Sequence, residues 1–346
     1  MNTGTQTSRS RARKTTLLLG LLLVLVFALS LGIGRISIKL TDLPLLFQAL
    51  VHPDLADHSL HTQAIALFWV RLPRCIMTAL VGAGLALSGA VYQGLFRNPL
   101  VSPDILGVSA GATFGAALGF VVPGVEFFGI QALAFAFGLL AVGCALLIAK
   151  AVAVKPMLVL VLAGLVVLSV FNAGITTLKY MADPYNELPA IVFWIMGSMS
   201  RASWNELAIA APLVGGAIIL AHLFCYRLNI LSLGDAQALS LGVNPKPWRI
   251  LFITTSSMAV AVSVATCGQV GWVGLVIPHI ARTLVGPNHE HMLPVSTLTG
   301  AIFLLLADTA ARSLSGAEIP ISVITAFTGA PFFAFLLYKN RGSGWS

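Results

Sequence analysis

The sequence predicts an all-α polytopic membrane protein of about ten transmembrane helices. Three observations carry the prediction. Of 346 residues, 58% are hydrophobic and only 9% are charged, against about a quarter charged in a soluble domain. Mean hydropathy is +0.93. Apolar runs recur between short polar breaks, and about 20 apolar residues suffice for each crossing. A chain so poor in charge cannot coat a soluble globule of this size, which excludes soluble enzymes, disordered proteins and secreted disulfide scaffolds. Runs of this length also require helices, because lipid offers the backbone no hydrogen-bond partner.

In chain order the spans are expected at 16–34, 75–96, 104–121, 127–149, 157–178, 204–226, 249–267, 271–285, 292–311 and 320–338. The first follows Arg9, Arg11, Arg13 and Lys14, a cluster that holds the N-terminus in the cytoplasm. An uncleaved span is preferred to a signal peptide, although Ala28-Leu29-Ser30 has the small-x-small form of a cleavage site. The second and third spans are lean, with Gly82, Gly84, Ser88 and Gly89, then Gly107, Gly111, Gly115 and Gly119. Such faces let helices approach closely. The fifth carries Asn172, Thr176 and Thr177, polar groups that either line a path or bond neighbouring helices. A short apolar helix at about 188–199 is expected at the outer surface before the sixth span, and the eighth, 271–285, is barely long enough to cross. Trp69, Trp194, Trp204, Trp248 and Trp272 fall near span ends, where amphipathic rings prefer to sit. Residues 68–150 and 248–340 have the proportions of two inverted halves.

With the N-terminus inside, 13 basic residues fall in inside pieces and 7 outside, whereas the acids divide 3 inside and 9 outside. The positive-inside rule then supports an even number of spans with both termini cytoplasmic. The net charge of +8 is read as this bias. It is not read as a nucleic-acid surface, because no basic helix or aromatic–basic stripe occurs. Cys75, Cys144, Cys225 and Cys267 lie in or beside apolar runs with no CxxC, and are read as small packing residues. Residues 1–15 form a cytoplasmic tail, 16–340 a single membrane domain whose longest inside loop is about 229–247, and 341–346 a second tail.

No glycine is followed by lysine, so the phosphate-cradling GxxxxGK[ST] loop is absent, as are HExxH and GxSxG. If ATP drives this protein, another subunit hydrolyses it. Arg71-Leu72-Pro73-Arg74 makes a fixed cationic corner at the outer mouth of the second span, and Arg312 sits at the outer end of the ninth. These groups either snorkel to the interface or dock acidic residues of an external protein. Asp308 lies one turn before Arg312 and reads as an i,i+4 pair, with a proton-coupling carboxylate as the alternative. The segment 233–243 reads as a short cytoplasmic helix closed by Gly242, with Ala238, Leu239 and Leu241 on an apolar face. It suits either a groove in a partner or the bilayer surface. In the outside loop His52–His61, His58 and His61 share a helix face that could bind a metal, and a solvated loop is the simpler reading. His289-Glu290-His291 is a weaker candidate, and His279 after Pro278 packs locally.

Several of these segments resemble the FecCD-type permeases of ABC importers for iron-siderophores, haem and cobalamin. They are RLPR at 71–74, SGAVYQGLFRNPLVSPDILGVSAGA at 88–112, LGDAQALSLGV at 233–243, GWVGLVIPHIARTLVG at 271–286, LLLADTAAR at 304–312 and the run from Glu318 to Phe333. The resemblance implies a type II ABC importer permease fold of ten spans in the bacterial inner membrane. It implies a second permease subunit, homologous or identical, two cytoplasmic ATPases that bind ATP and Mg, and a periplasmic binding protein. This chain itself then holds no cofactor and performs no covalent chemistry. Docking of the binding protein is implied for Arg71, Arg74 and Arg312. Coupling to the ATPase is implied for Gly234, Asp235, Ala236, Gln237, Leu239, Leu241 and Gly242. A cytoplasmic gate is implied at Lys155, Pro156, Met157, Leu158 and Val159, and a pathway lining at Asn172 and Thr176. The substrate class is a metal chelate, ferric siderophore first, with haem, cobalamin and molybdate-type oxyanions open. The competing class is an ion- or proton-coupled secondary transporter, which needs a buried acid near the midplane.

Overall fold

The computed structural model describes residues 3–34, 36, 38–52, 57–152, 156–314 and 318–339. These residues contain helices and no strand: α1 (Thr3–Gly32), α2 (Leu43–Val51), α3 (His58–Ile65), α4 (Leu72–Phe96), α5 (Val108–Val121), α6 (Phe127–Ala151), α7 (Pro156–Met181), α8 (Glu187–Met196), α9 (Trp204–Leu223), α10 (Cys225–Leu233), α11 (Asp235–Ser240), α12 (Pro245–Cys267), α13 (Val273–Val285), α14 (His289–Ser313) and α15 (Ile321–Lys339). Seven of the described helical stretches are long and apolar enough to cross a membrane. The other three expected spans correspond to α5, α13 and α15, of 14, 13 and 19 residues. The surface helix expected at 188–199 is α8, which ends at Gly197, whose φ is +75°.

At 1.5 Å per residue, α5 and α13 reach only about 20 Å, roughly two thirds of a hydrocarbon core. The reason lies in what precedes them. A Cβ on Gly89 of α4 would overlap the Gly274 carbonyl, and one on Gly274 would press into Pro103. Ile105 rests against Gly164 of α7. The 3-10 turn Pro103–Leu106 before α5 and the first turn of α13, which follows the Gly271–Trp272 link, therefore meet beside α4. Irregular backbone is tolerated at that depth because it is enclosed by protein rather than lipid. Trp272 enters α13 with φ +72°, and its indole packs on Gly329 of α15, where a Cβ would fall 2.6 Å from the Trp272 Cβ.

The hub is α4, buried along most of its length. A Cβ on Gly82 would overlap the Gly300 carbonyl of α14, and one on Gly300 would overlap the Gly82 carbonyl. Gly84 admits Val214 of α9. Ser88 donates to the Ser256 carbonyl of α12 at 3.1 Å. In the same way α6 closes on Gly111 and Gly115 of α5 through its Phe137 and Leu133 carbonyls. The lean composition of spans two and three is thus used for backbone-to-backbone packing.

Helix α3 runs into α4 through a one-turn π-bulge at Ala66–Arg71, in which the Leu72 N–H reaches back to the Leu67 carbonyl. Pro73 has no N–H to donate, and the wider turn next to it absorbs the mismatch.

Candidate functional site

Among the described residues, the buried charged groups Arg71, Arg74, Asp308 and Arg312 gather at one end of the α4–α14 pair, and Gln93 and His289 lie at the other. At the end of α4 nearest Arg71, the expected surface corner is interior. Arg71, Arg74 and Arg312 are only 6%, 6% and 8% exposed. Arg71 donates to the carbonyls of Leu31, at 2.8 Å, Gly32, at 3.1 Å, and Ile36. It thereby closes the C-terminal end of α1, whose last carbonyls lack helical donors. Arg312 donates to the Ser30 carbonyl of the same helix, and the hydroxyls of Ser30 and Thr309 lie 2.7 Å apart. Arg74 makes a fork: Nη2 meets Asp308 Oδ1 at 2.8 Å, Nε lies 3.1 Å from both Asp308 oxygens, and Nη1 meets Glu318 Oε1 at 2.8 Å.

Asp308 is 1% exposed, and its Oδ2 is 3.7 Å from Arg312 Nε. The local i,i+4 pair expected from sequence is therefore the minor contact, and the principal partner comes from α4. Sequence reasoning missed Glu318, whose side chain is 34% exposed and is the most accessible member of the cluster. Its place in the quoted run after Asp308 was the available signal. Burying such charges is tolerable only when geometry satisfies them, and the fork supplies that for Arg74 and Asp308.

The opposite end is built from amides and histidine. Asn229 of α10 donates to Asn288 Oδ1 at 2.8 Å and accepts from the His289 N–H at 2.9 Å. Gln93 of α4 donates to the Leu275 carbonyl at 3.2 Å. On this side α11 stands out. Gly234, with φ +113°, precedes it and Gly242, with φ +74°, closes it. The Val243 N–H returns to the Ala238 carbonyl at 2.9 Å, a Schellman closure. The expected apolar face divides in two. Ala238 is fully buried against Ile230, Val243 and Trp248. Leu239 and Leu241 point outward, 60% and 57% exposed, and Ala236, Gln237 and Gly242 are exposed with them. Arg249 of α12, not singled out from sequence, donates to Asp235 Oδ1.

Along α7, Leu158, Leu162, Leu165, Val166, Ser169, Asn172, Thr176 and Thr177 are all exposed and share one face. Thr176 and Thr177 bond back to the Asn172 and Ala173 carbonyls, so their hydroxyls are satisfied within the helix. Met157 and Val159 are half-buried, Pro156 starts the helix, and Lys155 lies outside the described residues. Of the histidine loop, residues 53–56 lie outside the described set, and His61 Nδ1 lies 3.2 Å from the Ala49 carbonyl.

Comparison with known proteins places this architecture. The model of the FecCD transport family matches residues 22–339. The molybdate import system permease protein MolB of Haemophilus influenzae is 44% identical over 82% of this chain and 83% of its own. An iron chelatin transport system permease of Helicobacter pylori is 41% identical over 84% of this chain and 89% of its own. A solved structure described as an inward-facing conformation of a metal-chelate type ABC transporter aligns with TM-score 0.84 at 41% identity, covering 94% of this chain and 99% of that one. This all-helical, multi-pass chain has the type II ABC importer permease fold and belongs to the FecCD transport family.

Proposed function

We propose that this permease carries a metal chelate, or a related oxyanion, inward across the cytoplasmic membrane by ATP-driven alternating access. It works with a second permease subunit, two ATPases that hold ATP and Mg, and an extracytoplasmic binding protein. The observation that carries the reading is α11, a short helix with two leucines turned outward and its other face fixed to α12. That is the form of a helix made to seat in a partner's groove. The end bearing Arg71 faces outward and the end bearing α11 faces the cytoplasm.

Docking of the binding protein falls on the rim around Arg71, Arg74 and Arg312. Their burial means that partner acids reach Arg74 by displacing Glu318. The exposed face of α7 with Asn172 and Thr176 lines the pathway, and its start at 155–159 forms the inner gate. Asp308, enclosed by Arg74 and Arg312, is a structural anion rather than a coupling acid. The relatives and the solved neighbour support the substrate class by what their names state.

The test is reconstitution with the ATPase and binding protein in nanodiscs and proteoliposomes. The binding protein should stimulate ATP hydrolysis, Arg74→Lys should reduce that stimulation, and Glu318→Gln, which removes the competing carboxylate, should not. Uptake of radiolabelled ferric citrate against radiolabelled molybdate separates chelate from oxyanion. Failure of the wild-type chain to hold any ATPase would sink the reading.

A further inference from the structure

We propose that Asp235 and Arg249 form a strap that makes α11 and α12 move as one body, so that a push on α11 reaches α12 undiminished. The proposal rests on α11 being the ATPase contact proposed above. With six residues, α11 is too short to hold an orientation by its own hydrogen bonds. It joins α12 through only Leu241–Asn244. Three attachments fix it. Ala238 buries against Ile230, Val243 and Trp248 and sets its depth. Trp248 is itself held between the Phe224 ring, 4.9 Å away, and the Arg227 guanidinium, 5.3 Å away. These apolar contacts leave α11 free to roll about its own axis.

The ion pair removes that freedom. Asp235 is the first residue of α11, and Arg249 lies one turn inside α12. Arg249 is 12% exposed on its side chain while Asp235 is 44% exposed. A largely enclosed guanidinium thus holds a more exposed carboxylate on α11, through one of its terminal nitrogens. Beside it, Gly234 lies against Arg97 at the end of α4, where an added Cβ would sit 3.0 Å from Arg97 Nη1. The start of α11 is therefore confined from two sides.

What α12 does with the push is visible at its far end. The Cys267 carbonyl accepts the Ser198 N–H at 2.9 Å, and Gly268 is pressed against the Trp194 carbonyl. The helix connects α11 directly to the turn after α8, on the Arg71 side. A pair whose carboxylate is nearly half exposed contributes little to stability, so cutting the strap should leave the fold intact while spoiling transmission.

The experiment uses the nanodisc complex of permease, ATPase and binding protein, with Arg249→Ala as the main variant. The ATPase should co-purify as with wild type, and binding-protein stimulation of ATP hydrolysis should fall at least fivefold. The exchange Asp235→Arg/Arg249→Asp should restore at least half of the stimulation. Nitroxides at Ser240 and Thr254, both exposed, read the strap without any turnover. Wild type should give one narrow distance with and without ATP, and Arg249→Ala a broad one. Stimulation within twofold of wild type together with a narrow distance in Arg249→Ala overturns the proposal. Impaired single variants that the exchange fails to rescue also overturn it, in favour of Arg249 acting without Asp235. The control Leu239→Glu/Leu241→Glu separates the two levels. If it still retains the ATPase, the α11 contact itself falls. If it loses the ATPase while Arg249→Ala is silent, only the strap falls.

Discussion

The two ends of the α4–α14 pair solve one problem by different means. Near Arg71 the helices are joined by charged groups, with Arg74 forked onto the buried Asp308 and the partly exposed Glu318. Near α10 the two meet through neutral groups, Gly94 of α4 lying against the His289 ring, and Asn229 of α10 holds that end of α14 through Asn288 and His289. Between the ends, Gly82 and Gly300 bring the backbones into contact. A charged junction is strong when complete and costly when one member is lost. A neutral junction loses less and loses it locally.

The comparison is broken most severely in the middle. Gly300→Leu would drive a side chain into the Gly82 carbonyl and force both ends apart together. We expect loss well beyond the ~1–3 kcal/mol of ordinary overpacking, read as the disappearance of a monodisperse peak in size-exclusion of the detergent-solubilised protein. Next comes Asp308→Asn, which leaves Arg74 buried with Glu318 alone. A destabilisation of ~3–5 kcal/mol is expected, and the double change Arg74→Met/Asp308→Leu should cost less than Asp308→Asn. A double variant worse than the single would remove the argument that the cost is an orphaned charge. At the neutral end, Asn229→Ala should cost ~1–3 kcal/mol, and its increase in amide exchange should stay within α10 and the first turn of α14. Exchange that spreads to the Arg71 end would show that the two junctions are not independent. The smallest effect is expected for Ser30→Ala, which removes one hydroxyl pair at ~0.5–1.5 kcal/mol, seen as a small shift in thermal unfolding.

The long spans were legible because lipid leaves the chain few options. Leu17–Leu31 or Phe127–Ala149 can hardly be anything but crossing helices. The small residues of α4 and α5 announced close packing, though not which helix each would meet. Spans three and eight were harder to read. Their apolar runs, 104–121 and 271–285, hide a turn and a bend that are stable only because Gly89, Gly164 and Gly274 make room for them. At the candidate site, the arginines were identified but their surroundings were not. Asp308 is four residues from Arg312 and 234 from Arg74, so proximity in sequence pointed to the weaker partner. Similarly, Ala238 and Leu239 look alike on a hydropathy scale, and only the position of Trp248 determines which of them turns inward. The Asp235–Arg249 pair was invisible because each residue alone resembles a solvated loop charge.

Trp272 carries a last consequence. A bulky residue at φ +72° holds conformational energy of ~1–3 kcal/mol that the surroundings must sustain. Its indole fits α15 only at Gly329. Rotating α15 by one residue would bring the Cβ of Thr328 or Ala330 against the ring. The pair therefore acts as a detent: α15 cannot turn about its own axis without first lifting the tryptophan out of its notch.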